Sequence, residues 1–91
     1  MQTTMTLDQE ALLVVKSSLE MKRKALDFNL RQYKDRLAAF ELAHQMTSDQ
    51  FVKKFGAGEL GDDSDWFEWE FVIDALRETE HQLKLLGSVK L

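Results

Sequence analysis

The sequence predicts an all-α protein: a long antiparallel helical hairpin with a short helix at its corner, closing into a bundle by oligomerisation. Three observations predict it. Proline is absent, and glycine is confined to positions 56, 58, 61 and 87. The residues that abound (Ala, Leu, Lys, Arg, Glu, Gln) are those that lose least on entering a helix. Apolar residues recur at steps of three and four, the period of one helix face. The 91 residues make one small domain, 1–91. A chain this short buries a modest fraction of its surface, so a monomer is expected to be marginally stable.

The first helix is expected over about residues 7–44. Thr6-Leu7-Asp8-Gln9 reads as a capping box, in which the Thr hydroxyl accepts a backbone N–H and Gln9 reaches back. Leu12, Val15, Leu19, Leu26, Leu30, Tyr33, Leu37 and Phe40 then form a coiled-coil-like seam, with Lys22 in one seam position and a stutter between Leu26 and Leu30. Glu20–Lys24 and Asp27–Arg31 have the spacing of helpful ion pairs.

The second helix is expected over 48–55. Thr47-Ser48-Asp49-Gln50 is another capping box, and Met46 with Phe51 has the hydrophobic-staple spacing. Gly56 is placed to end it with a positive φ. The third helix is expected over 64–86, capped by Asp63 or Ser64 and stopped by Gly87. Trp66, Trp69, Ile73, Leu76 and Leu83 make its apolar stripe, and Glu80–Lys84 a further ion pair.

The helix lengths do not match. At equal rise per residue the third helix covers only about the last 22 residues of the first. Leu12, Val15 and Leu19 are left without an intramolecular partner, so they are the expected oligomerisation contact. Fraying or a kink at Ser17-Ser18 is the alternative.

With no cysteine, neither a disulfide framework nor a zinc–thiolate site is possible, which fits a reducing cytoplasm. The start carries no basic leader region, and the apolar run Ala11–Val15 is too short for a signal core or a membrane span. The expectation is a soluble cytoplasmic protein with no membrane contact. A net charge of −4 argues against direct nucleic-acid binding. The distribution says more. Residues 16–36 carry seven Lys/Arg against three Asp/Glu, whereas 55–76 carry seven Asp/Glu and no Lys or Arg. The basic run Lys22-Arg23-Lys24 with Arg31, Lys34 and Arg36 reads as a solvated helix face, because Glu20, Asp27 and Asp35 interrupt it.

The acidic cluster Glu59, Asp62, Asp63, Asp65, Glu68 and Glu70 has three readings. Carboxylates favour helix N-termini, so it can be capping plus a solvated face. It can be a docking surface for a basic partner, since tryptophans anchor interfaces and carboxylates steer basic proteins. As a calcium loop it fails: Asp63-Ser64-Asp65 begins correctly, but Phe67 stands at the next ligand position and Glu68 at the glycine. The docking reading takes Glu59, Asp62, Asp63, Asp65, Trp66, Glu68 and Trp69 as partner-binding residues. Trp66 and Trp69 also have the spacing of core residues that pack on Phe40, Phe51 and Phe55.

No catalytic constellation is visible. His44 and His81 fall at opposite ends of the hairpin, so neither a catalytic His–Asp pair nor a two-His metal site is expected. Ser17, Ser18, Ser48 and Ser64 have no adjacent base. Glycines 56, 58 and 61 follow no strand and precede no Gly-Lys-Ser/Thr, so they make no phosphate loop. The expectation is a protein that is not an enzyme and has no cofactor and no metal.

The stretch Tyr33–Glu70 resembles a group of small bacterial and archaeal helical proteins. The residues that match are Phe40-Glu41, Met46-Thr47-Ser48-Asp49-Gln50-Phe51, Phe55, Gly58-Glu59-Leu60-Gly61-Asp62-Asp63, Asp65 and Phe67-Glu68-Trp69. Some of these proteins lie beside toxin-like genes, so the resemblance implies an antitoxin-like partner role. This chain departs from the pattern in its longer downstream helix. The combined expectation is a non-enzymatic protein-binding module, whose partners are itself and a small basic protein. The alternative is a structural homo-oligomeric bundle.

Overall fold

The computed structural model describes residues 8–91. Helices α1 (Gln9–His44), α2 (Ser48–Gly56) and α3 (Ser64–Gly87) follow one another, and no strand occurs among the described residues. α1 and α3 pack along each other as an antiparallel hairpin, and α2 crosses the corner. None of these helices is long and apolar enough to cross a membrane.

Local chemistry fixes the ends. The expected cap Thr6 lies outside the described residues. Among them Asp8 caps α1, its Oδ1 accepting the Ala11 N–H at 2.7 Å. The helix runs unbroken through Ser17-Ser18, where the Ser18 hydroxyl donates to the Val14 carbonyl at 2.8 Å. It ends at Gln45, whose φ of 52° is left-handed. The expected capping box of α2 forms in both directions: Gln50 N–H to Thr47 Oγ1 at 3.1 Å, and Thr47 N–H to Gln50 Oε1 at 2.9 Å. The positive φ expected at Gly56 sits instead at Gly58. There the Glu59 N–H donates to the Lys54 carbonyl and the Gly58 N–H to the Phe55 carbonyl. Those paired bonds make a Schellman turn, which needs its left-handed residue beyond the last helical one. Asp63 caps α3.

The core lies at the corner. Phe51, Trp66, Trp69 and Ile73 are buried together, with Leu37, Phe40, Met46, Phe55 and Leu60 packed around them. Trp69 lies nearly parallel to Phe51, with ring centres 4.2 Å apart, and on Phe40 at 5.5 Å. Away from the corner the hairpin thins to Leu26, Val72 and Thr79. The expected pairs Glu20–Lys24, Asp27–Arg31 and Glu80–Lys84 do not close as ion pairs, consistent with how little exposed pairs gain.

The length mismatch is as expected. Leu85, Leu86 and Val89 meet Lys22 and Leu26, so Gln9–Met21 extends roughly 20 Å beyond α3. Leu12, Val15 and Leu19 are half-buried rather than bare, and the more exposed apolar side chains of this stretch are Leu13, Val14 and Met21. The radius of gyration is 18.5 Å, against about 12 Å for a compact chain of this length.

Two outcomes follow for stability in urea. Trp69→Ala removes the ring shared by all three helices and is expected to cost about 3–5 kcal/mol. Gln45→Gly relieves a left-handed residue and is expected to raise stability by about 1 kcal/mol.

Candidate functional site

The acidic corner is built by the turn between Gly58 and Asp65. Gly58 reverses the chain after α2. The Trp66 indole N–H then donates to the Gly61 carbonyl at 2.7 Å, pinning the loop to the first turn of α3. Asp63 holds that turn by accepting the Asp65 N–H at 2.8 Å. The Trp69 indole N–H donates to Ser48 Oγ at 3.0 Å, and the Ser48 N–H to Glu41 Oε2 at 2.7 Å. α3, α2 and α1 are thus joined by one hydrogen-bonded relay. Among the described residues, no buried side-chain nitrogen or oxygen lacks a partner.

The structure sorts the expected partner-binding residues into three groups. Glu59, Asp62 and Asp63 are exposed and form no ion pair among the described residues. Glu68 is exposed but pairs with Arg36 of α1, and Asp65 is half-buried against His44. Trp69 is fully buried and Trp66 nearly so, so both shape the corner from inside. The exposed aromatic ring here is Phe67, which meets Phe55 edge-on at 6.1 Å. Its α3 position on the side away from α1 was readable in the sequence, where the tryptophans drew the weight instead. Phe55, Leu60, Trp66 and Phe67 line an open cleft of about 450 Å³, with Asp62 and Asp63 at its rim.

One juxtaposition had no signal in the local spacing of the sequence. His44 Nε2 lies 2.9 Å from Asp65 Oδ2, so a His–Asp pair does form. His44 also packs on Trp66 and Trp69, with ring centres 4.6 and 5.7 Å away. The pair joins residues 21 apart across the corner, a contact that no local spacing encodes. Asp63 stands close enough that His44, Asp63 and Asp65 each bring one ligand atom within 4.8 Å of the others. Capping accounts for this trio without a metal. Asp63 already accepts the Asp65 N–H, Asp65 already meets His44, and all three gather at the positive end of α3. The pair ties the last turn of α1 to the first turn of α3.

Comparison with protein families, with curated proteins and with solved structures gives no match.

Because the His44–Asp65 pair is only partly buried, a double-mutant cycle in urea is expected to give a coupling of at most about 1 kcal/mol. His44→Ala is expected to cost clearly more than Asp65→Asn, since it also strips the packing from Trp66 and Trp69. Equal losses in the two single variants would assign the role of His44 to the pair rather than to the rings.

Proposed function

We propose that this chain is a non-enzymatic protein-binding module that covers a small basic partner with its acidic corner, in the manner of an antitoxin. One observation carries the reading. The exposed carboxylates Asp62 and Asp63 line a cleft walled by Phe55 and Phe67, with the exposed Glu59 in the same loop, in a region with no lysine or arginine from 55 to 76. Exposed carboxylates accelerate the approach of a basic surface, and a desolvated aromatic wall holds what arrives. The cleft suits the stem and head of a lysine or arginine side chain, whose methylenes lie on the rings while the charge reaches the rim. The antitoxin-like reading adds a partner with a basic active site, such as a ribonuclease.

A second reading, a homo-oligomeric bundle, is favoured by a separate observation. The accessible surface is 7309 Å², about 1,800 Å² above that of a compact monomer of this mass. The two readings are compatible, since one uses the corner and the other the flanks of the hairpin.

The test is to tag the chain at its natural level in its own cell and identify what survives a moderate-salt wash. The wild type is expected to retain a small basic protein in stoichiometric amount. Glu59→Lys with Asp62→Lys is expected to weaken that complex roughly tenfold or more with an unchanged circular dichroism spectrum. Asp63 is spared because it caps α3, where a reversal would cost about 1 kcal/mol of stability. Retention of no basic protein, or equal retention by the variant, would remove the acidic corner as the binding surface.

A further inference from the structure

The face of α1 turned away from α3 carries a second seam. Val14, Met21, Phe28 and Leu42 are 66%, 70%, 58% and 81% exposed. They stand at intervals of seven residues, with Asp35 filling the one gap. Ser18, Ala25, Gln32 and Ala39 interleave four residues after Val14, Met21, Phe28 and Asp35, and all are exposed. Strict sevens drift by only about 20° per repeat on a straight helix, so these positions share one stripe. Val14, Met21 and Phe28 with the small Ser18 and Ala25 have the three-and-four spacing of a helix-pairing stripe, which Asp35 interrupts. The opposite face already holds the intramolecular core, at Leu26, Leu30, Tyr33, Leu37 and Phe40.

We infer that a second copy of this chain docks antiparallel on the Val14–Phe28 stripe, with the two-fold axis at Met21. The inference rests on the homo-oligomeric reading above and names its surface. Three physical arguments select this occupant. The surface excess exceeds the roughly 800 Å² that each partner gives up in a standard interface. The stripe is self-complementary in this register: Met21 meets Met21 and Val14 faces Phe28 of the second copy, with the small Ser18 and Ala25 between these layers, as an isologous contact requires. Charge selects the direction. With the axis at Met21, antiparallel pairing brings Glu10 within one residue's rise of Arg31 of the second copy, at both ends of the contact. Parallel pairing would lay Lys22-Arg23-Lys24 along itself and Asp8 and Glu10 along themselves, like against like. Lys22 does fall near the antiparallel axis, where its long stem carries the charge out to water. The contact covers the Val14 side of the overhanging end of α1, whereas Leu12, Val15 and Leu19, the oligomerisation residues expected from the sequence, lie on the Leu26 side and take no part in it.

The absence of cysteine makes the register directly testable. Met21→Cys is expected to give a covalent dimer with a short bis-maleimide, whereas Leu42→Cys, equally exposed but far from the axis, gives none. In sedimentation equilibrium the wild type is expected at twice its 10.6 kDa mass. Phe28→Glu is expected to weaken the dimer at least tenfold, about 1.4 kcal/mol, with tryptophan fluorescence from the corner unchanged. A wild type that is monomeric at high micromolar concentration overturns both this interface and the homo-oligomeric reading. A dimer that Phe28→Glu leaves intact, or that Met21→Cys does not cross-link, overturns this interface alone.

Discussion

The structure depends on Trp69 lying flat between Phe51 and Phe40. Its ring contacts α2 on one side and α1 on the other, and its indole N–H reaches Ser48 at the start of α2. A nine-residue helix such as α2 has too little propensity to persist alone. It persists because its cap is satisfied twice over, by Thr47 with Gln50, and because Phe51 is wholly enclosed by the rings of its neighbours. The acidic loop inherits its shape from the same cluster, since the Trp66 indole holds Gly61 in place. Aromatic packing inside the corner therefore determines where the carboxylates outside it stand.

Concentrating the core at one end has a consequence for the other. Beyond Val72 and Thr79 the two helices share few buried side chains, and the first part of α1 has no neighbour from α3. Opening free energies in such a molecule fall along its length, from the aromatic corner towards the bare end of α1. A hairpin is a single layer of helices, and stable domains need at least two layers to enclose a core. The fold is accordingly complete at the corner and incomplete along its flank.

How much of this was legible depends on how local each signal is. The capping box at Thr47–Gln50 and the Asp63 cap are written in spacings of a few residues, and the structure realises them; the packing of Trp69 on Phe40 and Phe51 followed from the apolar faces of the three helices. The overhang followed from helix lengths alone. The His44–Asp65 pair was not legible, because it joins residues 21 apart on two helices whose meeting no local spacing encodes. The shift of positive φ from Gly56 to Gly58 was missed because a Schellman turn places its glycine beyond the last helical residue, and several glycines competed for the role. The seven-residue stripe on the back of α1 was present in the sequence, but the intramolecular seam interleaves with it. In a 36-residue helix apolar residues fall on more than one face, and only the packing of α3 reveals which of them remain uncovered.

The two proposed surfaces bear on each other through stability rather than through contact. In an antiparallel pair centred on Met21 the two corners lie at opposite ends of a rod, so a partner seated on one does not obstruct the other. Each corner then binds by its own chemistry, and the pair is bivalent towards any partner that is itself repeated. Coupling enters through mass action, because a ligand that binds only the folded chain stabilises it in proportion to the logarithm of its concentration over its dissociation constant. Self-association follows the same law in the concentration of the chain itself. A small hairpin with one aromatic core has little stability in reserve, so each contact contributes a large share of the total. Occupation of either proposed surface would therefore leave less of the chain open, and occupation of both would add the two effects.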